Sequence, residues 1–511
     1  MDTDSLKTEI RNCHWLFDLF AIGYDFIATR VTPADIEHKY PNLASATAEL
    51  ANLRFRDLLV AADGGIPAKI LGFIEPAKGW HLATTDDLES EEFLTRLLAV
   101  LRLIDEVSAG LSYFSFGLSA REWPGVRMFL RDHHNVLNMD PRRGVVLKPP
   151  PLDTSDWWQA AVAAGWLEPL ERGQFHYRLF HNLVRVPESI GYELNLKVLE
   201  SAEDAEQTIT GPLRVAVIPL VKQLRIRTAS AELSPGPLRI VDRPPGEFAV
   251  EVESSGDPAS DYAPMVGEIE NALPILCAMG THIILLPELV VPDAILEAVQ
   301  RVLLSVARGG GPTPFLVLAG TFGRPDARTG RVYNEAVILN GRGNLLFQQR
   351  KMHAYTMHGY EQPKYGLKDI FQGQPRTEQM ELMPRVLVVC DSPVLGLRMS
   401  VLICEDFCQQ TPGLEAIRNL RCNLIMSPVM AGALDQNSGF FQTSSQLVLD
   451  PEGVAVVANS RALPSQQSCA ATDSCSLGIF GTPLYDPTAG SRVHLLTKAD
   501  SRGFLPFETK H

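Results

Sequence analysis

The chain is poor in cysteine, with 8 in 511 residues. That is too sparse for the disulfide framework on which small secreted domains depend, so the expectation is free thiols in a reducing, cytoplasmic compartment. It also lacks a long apolar run. The best stretch, residues 283–291, is interrupted by Pro287 and Glu288 and falls short of the roughly 18 residues that suggest a membrane span. The opening MDTDSLKTE has neither the basic start nor the apolar core of a secretory leader. Basic residues are the minority sign: 46 Lys and Arg stand against 60 Asp and Glu, a net charge of −14. This argues against coating nucleic acid or an anionic membrane through bulk charge. There is no internal repeat and no low-complexity tract. Gly309-Gly310-Gly311 has no Lys-Ser/Thr after it, so it is not a phosphate-binding loop.

What is present describes a globular protein: 45% hydrophobic and 21% charged residues, close to the average. At roughly 100–200 residues per domain the length allows two to four domains. The acidic excess sits mainly in residues 1–210, and the remainder is nearly balanced. This predicts a mainly helical domain over 1–208, followed by an α/β domain over 209–511. In the first region Phe93, Leu94, Leu97, Leu98, Leu101 and Ile104 recur at helical spacing, and residues 11–30 also read as helix. Pro149-Pro150-Pro151 breaks the pattern. A helix through Trp157 and Trp158 and a short strand over 175–179 follow, a faint echo of a winged-helix module. In the second region apolar strands are expected near 213–220, 282–286, 315–318, 336–339, 386–389, 399–403, 424–426 and 454–458. Helices fall between several of them, as in α/β folds. Residues 228–260, rich in Pro, Gly, Ser and acids, read as an excursion or linker.

Three polar residues stand at or just beyond the ends of apolar strands: Glu288 in HIILLPE, Lys351 in NLLFQQRKMH and Cys404 in RMSVLICED. A sheet gives strand ends a rigid frame. A carboxylate, an ammonium and a thiol form a workable nucleophilic set: the base takes the thiol proton, and the cation stabilises thiolate or oxyanion. Taken singly, each has a structural reading. Cys404 would be a small buried hydrophobe, Glu288 a cap for a helix from Pro292, and Lys351 a solvated edge lysine. The Cys404/Cys408 and Cys469/Cys475 pairs have no His or Cys set to complete a zinc site. His133-His134 and the basic group Arg142, Arg143 and Lys148 read as solvated surface.

The segments LLPELVV, YNEAVILNGRGNLLFQQRKMH and SVLICEDF, in this order, resemble the nitrilase superfamily of carbon–nitrogen hydrolases over about residues 212–495. LAGTFGRP, NLIMSP, VAVVANS and GIFGTPLYDPTAG resemble further strands and hairpins of that family. The resemblance implies an α-β-β-α sandwich. It also implies hydrolysis of a non-peptide C–N bond in a small amide or nitrile through a thioester acyl-enzyme. Cys404 would be the nucleophile, Glu288 the general acid and base, and Lys351 with the Glu405 backbone N–H the oxyanion stabiliser. A second glutamate is expected shortly after the lysine. Glu361 is nearest, with Glu378 and Glu381 in the same segment. The Cys-Glu-Asp sequence is most similar to ammonia-releasing, glutaminase-type members. No metal or cofactor is implied, and a homodimer or higher homo-oligomer is. Three features depart from the family: a long segment over 353–384, of the kind that shapes substrate pockets, the absence of an Arg-Ala-x-Glu-Asn stretch before the late strand, and the insertion at 228–260. The competing reading is a recognition or assembly protein, whose N-terminal module binds a partner and whose nitrilase-like domain is a regulated effector or an inactive scaffold. Three intact candidate residues argue against the scaffold.

Overall fold

In the computed structural model the chain forms two compact units, residues 1–190 with 419–421, and residues 191–418 with 422–511. The structure describes 16–28, 91–108, 144–147 and 183–187 with a few single residues near them. It then describes 193–199, 214–220, 224–226, 238–243, 246–252 and most of 258–508.

The described part of the first unit holds α1 (Leu16–Ala28), α2 (Glu91–Ser108) and a two-stranded antiparallel ribbon of β1 (Gly144–Leu147) and β2 (Val184–Pro187). The spacing of Phe93, Leu94, Leu97, Leu98, Leu101 and Ile104 forms α2 as expected. These residues are buried with Phe17, Phe20 and Phe26 of α1 in one apolar core. The helix expected at Trp157, the strand over 175–179, the prolines at 149–151, His133-His134 and the basic cluster lie outside the described residues.

The second unit runs β3 (Glu193–Val198), β4 (Arg214–Val217), β5 (Leu224–Ile226), β6 (Leu238–Arg243), β7 (Glu247–Val252), α3 (Pro258–Ala278), β8 (Ile283–Leu285), α4 (Asp293–Arg308), β9 (Leu316–Pro325), β10 (Val332–Asn340) and β11 (Leu345–Arg350). It continues β12 (Thr356–Met357), α5 (Lys368–Phe371), β13 (Arg376–Glu378), β14 (Val386–Ser392), β15 (Leu397–Val401), α6 (Glu405–Cys408), α7 (Glu415–Leu420) and β16 (Leu424–Val429). It ends with α8 (Gly439–Leu447), β17 (Val454–Asn459), β18 (Gly478–Asp486), β19 (Ser491–Leu496) and β20 (Leu505–Glu508).

These strands make two large sheets, β11-β10-β9-β8-β4-β20 and β19-β18-β17-β16-β15-β14-β3. Their centres are parallel, as in β4, β8 and β9 or β15, β16 and β17. Those strands are almost wholly buried and therefore read as unbroken apolar runs. Helix α4 shows why the chain turns back between strands. Pro292 precedes it, Asp293 is in its first turn, Arg308 in its last, and Gly309 ends it. One face, Ile295, Ala298, Val299, Val302 and Leu303, joins the core with Ile269, Leu273 and Leu276 of α3.

Two expectations change. Glu193–Val198, which the boundary at 208 puts in the first region, pairs in parallel with β14 and extends the second sheet. Residues 228–260 are not a linker. β6 and β7 form an antiparallel hairpin within them. The alternation in LRIVDR and EFAVEV carries the strands, and the Pro-Pro-Gly that suggested a linker falls between them, with Gly246 at φ 91°. β7 then pairs in parallel with β13 of the 353–384 segment, giving a third sheet, β12-β13-β7-β6-β5. The two segments that depart most from the family pattern thus build one structure. Among the described residues, no helix is long and apolar enough to cross a membrane.

Candidate active site

The end of β8 presents Glu288 through a tight turn. Leu289 beside it has φ 57°, and its N–H donates to the Thr321 hydroxyl at 2.9 Å. Thr321 N–H donates to Pro287 O at 3.2 Å, and Leu286 N–H to Leu318 O at 2.9 Å. Between them Gly320, at φ 68°, lies so close that a Cβ would stand 2.3 Å from Pro287 O. The glycine of LAGTF therefore lets the Glu288 turn seat against β9.

Lys351 follows β11, and its N–H donates to Asn334 O of β10 at 2.8 Å. The ammonium is buried. Its Nζ lies 2.7 Å from Glu288 and 2.6 Å from Glu378, so two of its three N–H donors are engaged and one remains. Asn334 Nδ2 donates to both carboxylates at 2.9 Å, and Met430 N–H donates to Glu288 at 3.0 Å. Cys404 follows β15 at φ 48° and ψ −104°, a backbone state that costs on the order of 1–3 kcal/mol and clusters at functional sites. Its thiol lines the same cavity as Glu288 and Lys351 and feels the charge of both. Cys404 N–H donates to Pro428 O, and Asp406 N–H to Ile403 O. The intervening Glu405 N–H opens the short helix α6. Glu288, Lys351 and Cys404 thus meet from strands of both large sheets. Buried Asp406 ties the two segments together by accepting from Met352 N–H at 3.0 Å and meeting His353 Nδ1 at 2.8 Å.

Of the three glutamates in the 353–384 segment, it is Glu378 of β13 that contacts Lys351. Glu361 also lines the cavity, accepting from the Tyr355 hydroxyl at 3.0 Å and from His358 N–H at 2.8 Å. Glu381 accepts from Leu382 and Met383 N–H and does not line the cavity. Asn334 was legible only as part of a motif. Its signal is a buried amide beside Glu335, just before the apolar run of β10.

Charge balance sets the resting protonation. Burial pushes the Cys404 thiol well above its ordinary pKa, and the Glu288 charge adds to this while Lys351 opposes it. Burial also raises Glu288. Lys351 pulls it back, and the Glu378 charge raises it further. For Lys351, burial disfavours the charge, but Glu288 and Glu378 outweigh it and hold the amine well above the ordinary lysine value. Burial therefore favours a neutral thiol at Cys404 over a preformed thiolate.

The cluster opens on a cavity of about 200 Å³. Ile240, Phe248 and Val250 of the β6–β7 hairpin form one wall, and Tyr355, Met357, Glu361 and Tyr365 another. Among the described residues, no group of three His, Cys, Asp or Glu could hold a metal ion.

No family model matches the chain, and no curated protein matches it. Among solved structures, Nit3 of Saccharomyces cerevisiae, a member of branch 10 of the nitrilase superfamily, is 12% identical. That alignment covers 59% of this chain and 92% of that one, with a TM-score of 0.35. An amidase from Nesterenkonia sp. is 14% identical over 60% of this chain and 93% of its own, with a TM-score of 0.33. A variant of that amidase carrying the acetamide moiety of fluoroacetamide at its active-site cysteine is 15% identical over 59% and 92%, also at 0.33.

Proposed function

We propose that the second unit is a cysteine amidohydrolase of the nitrilase type, built as an α-β-β-α sandwich, that hydrolyses a non-peptide amide or nitrile. One observation carries this reading: a thiol on a strained residue, and a carboxyl paired with a buried ammonium, share the wall of one cavity.

For an amide, Glu288 takes the Cys404 proton as Sγ bonds to the carbonyl carbon. The carbonyl π electrons move to oxygen, where the third N–H of Lys351 and the Glu405 N–H receive the charge. Glu288 then returns the proton to nitrogen, the C–N bond breaks and ammonia leaves. Water attacks the thioester and gives its proton to Glu288. The C–S bond breaks, and that proton restores the thiol. The sum is amide and water giving carboxylic acid and ammonia. Glu378 and Asn334 hold Lys351 and Glu288 in register throughout. The raised thiol pKa supports deprotonation concerted with attack, not a standing thiolate.

Intact mass spectrometry of the protein mixed with a panel of simple amides is the test. The expected result is an acyl adduct that is absent in Cys404→Ala, with ammonia in solution. No adduct, no ammonia and no alkylation of Cys404 by iodoacetamide would overturn the reading.

A further inference from the structure

The proposed catalytic cluster shares its cavity with a further carboxylate, Glu361, that the chemistry leaves unexplained. Glu361 lies in the turn after β12. That turn is firmly held: buried Gln362 donates to Gln374 O at 2.6 Å and accepts from Gly373 N–H at 3.1 Å, while Leu367 and Phe371 are fully buried. Gly359 packs so closely on Gly373 that a Cβ would stand 2.2 Å from its carbonyl oxygen. Glu361 is therefore presented by a rigid loop, as a recognition group must be.

An ionised carboxylate has about four acceptor positions. The two bonds to Glu361, from Tyr355 and His358, leave capacity for a further donor. Among the described residues lining the cavity, Lys351 is the only cation, and it already faces two carboxylates. Glu288, Glu361, Glu378 and Glu405 all line it, so the field favours a positive ligand and opposes a negative one. The same cavity is lined by the apolar side chains of Ile240, Phe248, Val250, Met357 and Leu463.

Resting on the amidohydrolase reading, we propose that the substrate is an amide whose acyl chain is apolar next to the carbonyl and ends in a cationic nitrogen, which Glu361 binds and Tyr355 helps to seat. Glu361 is then a specificity determinant, not the second glutamate of the catalytic cluster.

Three near-isosteric amides test this: hexanamide, 6-aminohexanamide and the monoamide of adipic acid. In the full chain, kcat/KM should favour the cationic amide over the neutral one by about tenfold or more, the worth of one hydrogen bond to a charged group, with the anionic amide poorest. Glu361→Gln should collapse the cationic-to-neutral ratio toward one, through KM more than kcat, and Tyr355→Phe should reduce it less. Titration of Cys404→Ala with the same amides reads the preference as a ratio of Kd values, without any chemistry. A cationic amide bound no better than hexanamide, or a Glu361→Gln effect equal on both, overturns the proposal. Preferential binding in Cys404→Ala without ammonia release or acylation in the native protein would uphold the Glu361 site and overturn the amidohydrolase reading instead.

Discussion

Two of the buried charge clusters among the described residues of the second unit are built differently. Asp391 of β14 and Arg398 of β15 stand directly opposite each other across an antiparallel pair. Arg398 Nε and Nη2 reach the two carboxylate oxygens at 2.7 and 3.0 Å. The two meet in fork geometry, and neither residue lines the cavity around Cys404. At the other cluster one ammonium meets two carboxylates, a thiol adjoins them on a strained residue, and all four line a cavity. Burial alone does not separate the two, because Arg398 and Lys351 are both almost fully inaccessible. Stoichiometry, strain and access do. The Asp391–Arg398 pair lies away from the cavity, whereas the other cluster presents a donor and a proton acceptor to it.

This contrast predicts opposite responses to mutation. The largest effect should be at the unmatched cluster. Cys404→Ala should lower amide turnover by about 10⁴-fold or more, and Glu288→Gln by about 10²–10⁴-fold, with ammonia release as the readout. The urea midpoint of Cys404→Ala should shift little, since a small buried side chain is shortened by one atom. Substantial turnover in Cys404→Ala would remove the distinction between the clusters.

The matched pair should behave the other way. Asp391→Ala leaves a guanidinium buried without its carboxylate and should cost about 3–5 kcal/mol in urea unfolding, whereas Asp391→Leu with Arg398→Met together should recover most of that. Turnover per folded molecule should be retained in the double variant. If stability is untouched and turnover falls, the pair belongs to the site after all.

A third effect should be intermediate and fall on both properties. Gly320→Ala places a methyl 2.3 Å from Pro287 O and 2.7 Å from Val291 Cγ2, at φ 68°. Over-packing of this kind costs about 1–3 kcal/mol, and here it pushes on the turn that carries Glu288. A lower urea midpoint together with reduced turnover is expected. Loss of stability alone would show that the turn tolerates displacement.

The difference between the clusters was only partly legible in the sequence. Glu288, Lys351 and Cys404 stand at the ends of strands whose apolar runs were readable, so their places in the chain could be fixed without the structure. Glu378 could not be chosen over Glu361 or Glu381, because the choice depends on β13 pairing with β7, more than a hundred positions earlier in the chain. The β6–β7 hairpin was hidden for a related reason. Its prolines and glycine signal a turn and a linker equally well, and only its partner strand decides between them. Asn334 lies two residues before the strand expected at 336–339, in the longer observed β10, and a buried amide announces only that it has partners, not which ones. Local pattern carries the strands, and long-range pairing carries the fourth member of the cluster and the walls of the cavity.

The smallest expected effect tests that fourth member directly. Glu288 must be ionised to take the thiol proton, so turnover should fall as pH drops through its pKa. Burial raises that pKa, the Glu378 charge raises it further, and Lys351 lowers it. The acid limb of kcat/KM should therefore lie above the 4.5 of an ordinary glutamate. Glu378→Gln removes a neighbouring negative charge and leaves Lys351 with Glu288 as its only close carboxylate. Both changes favour the ionised form of Glu288, so the limb should move to lower pH. A carboxamide oxygen can still accept from Lys351 and Asn334, so the geometry need not collapse. The same substitution at Glu361, which does not contact Lys351, should leave the limb where it is. A limb that stays put in Glu378→Gln would make Glu378 a spacer without electrostatic influence. A limb that moves to higher pH would mean that the lysine is drawn away from Glu288 once Glu378 is gone, and that the two carboxylates hold the ammonium jointly and not in competition.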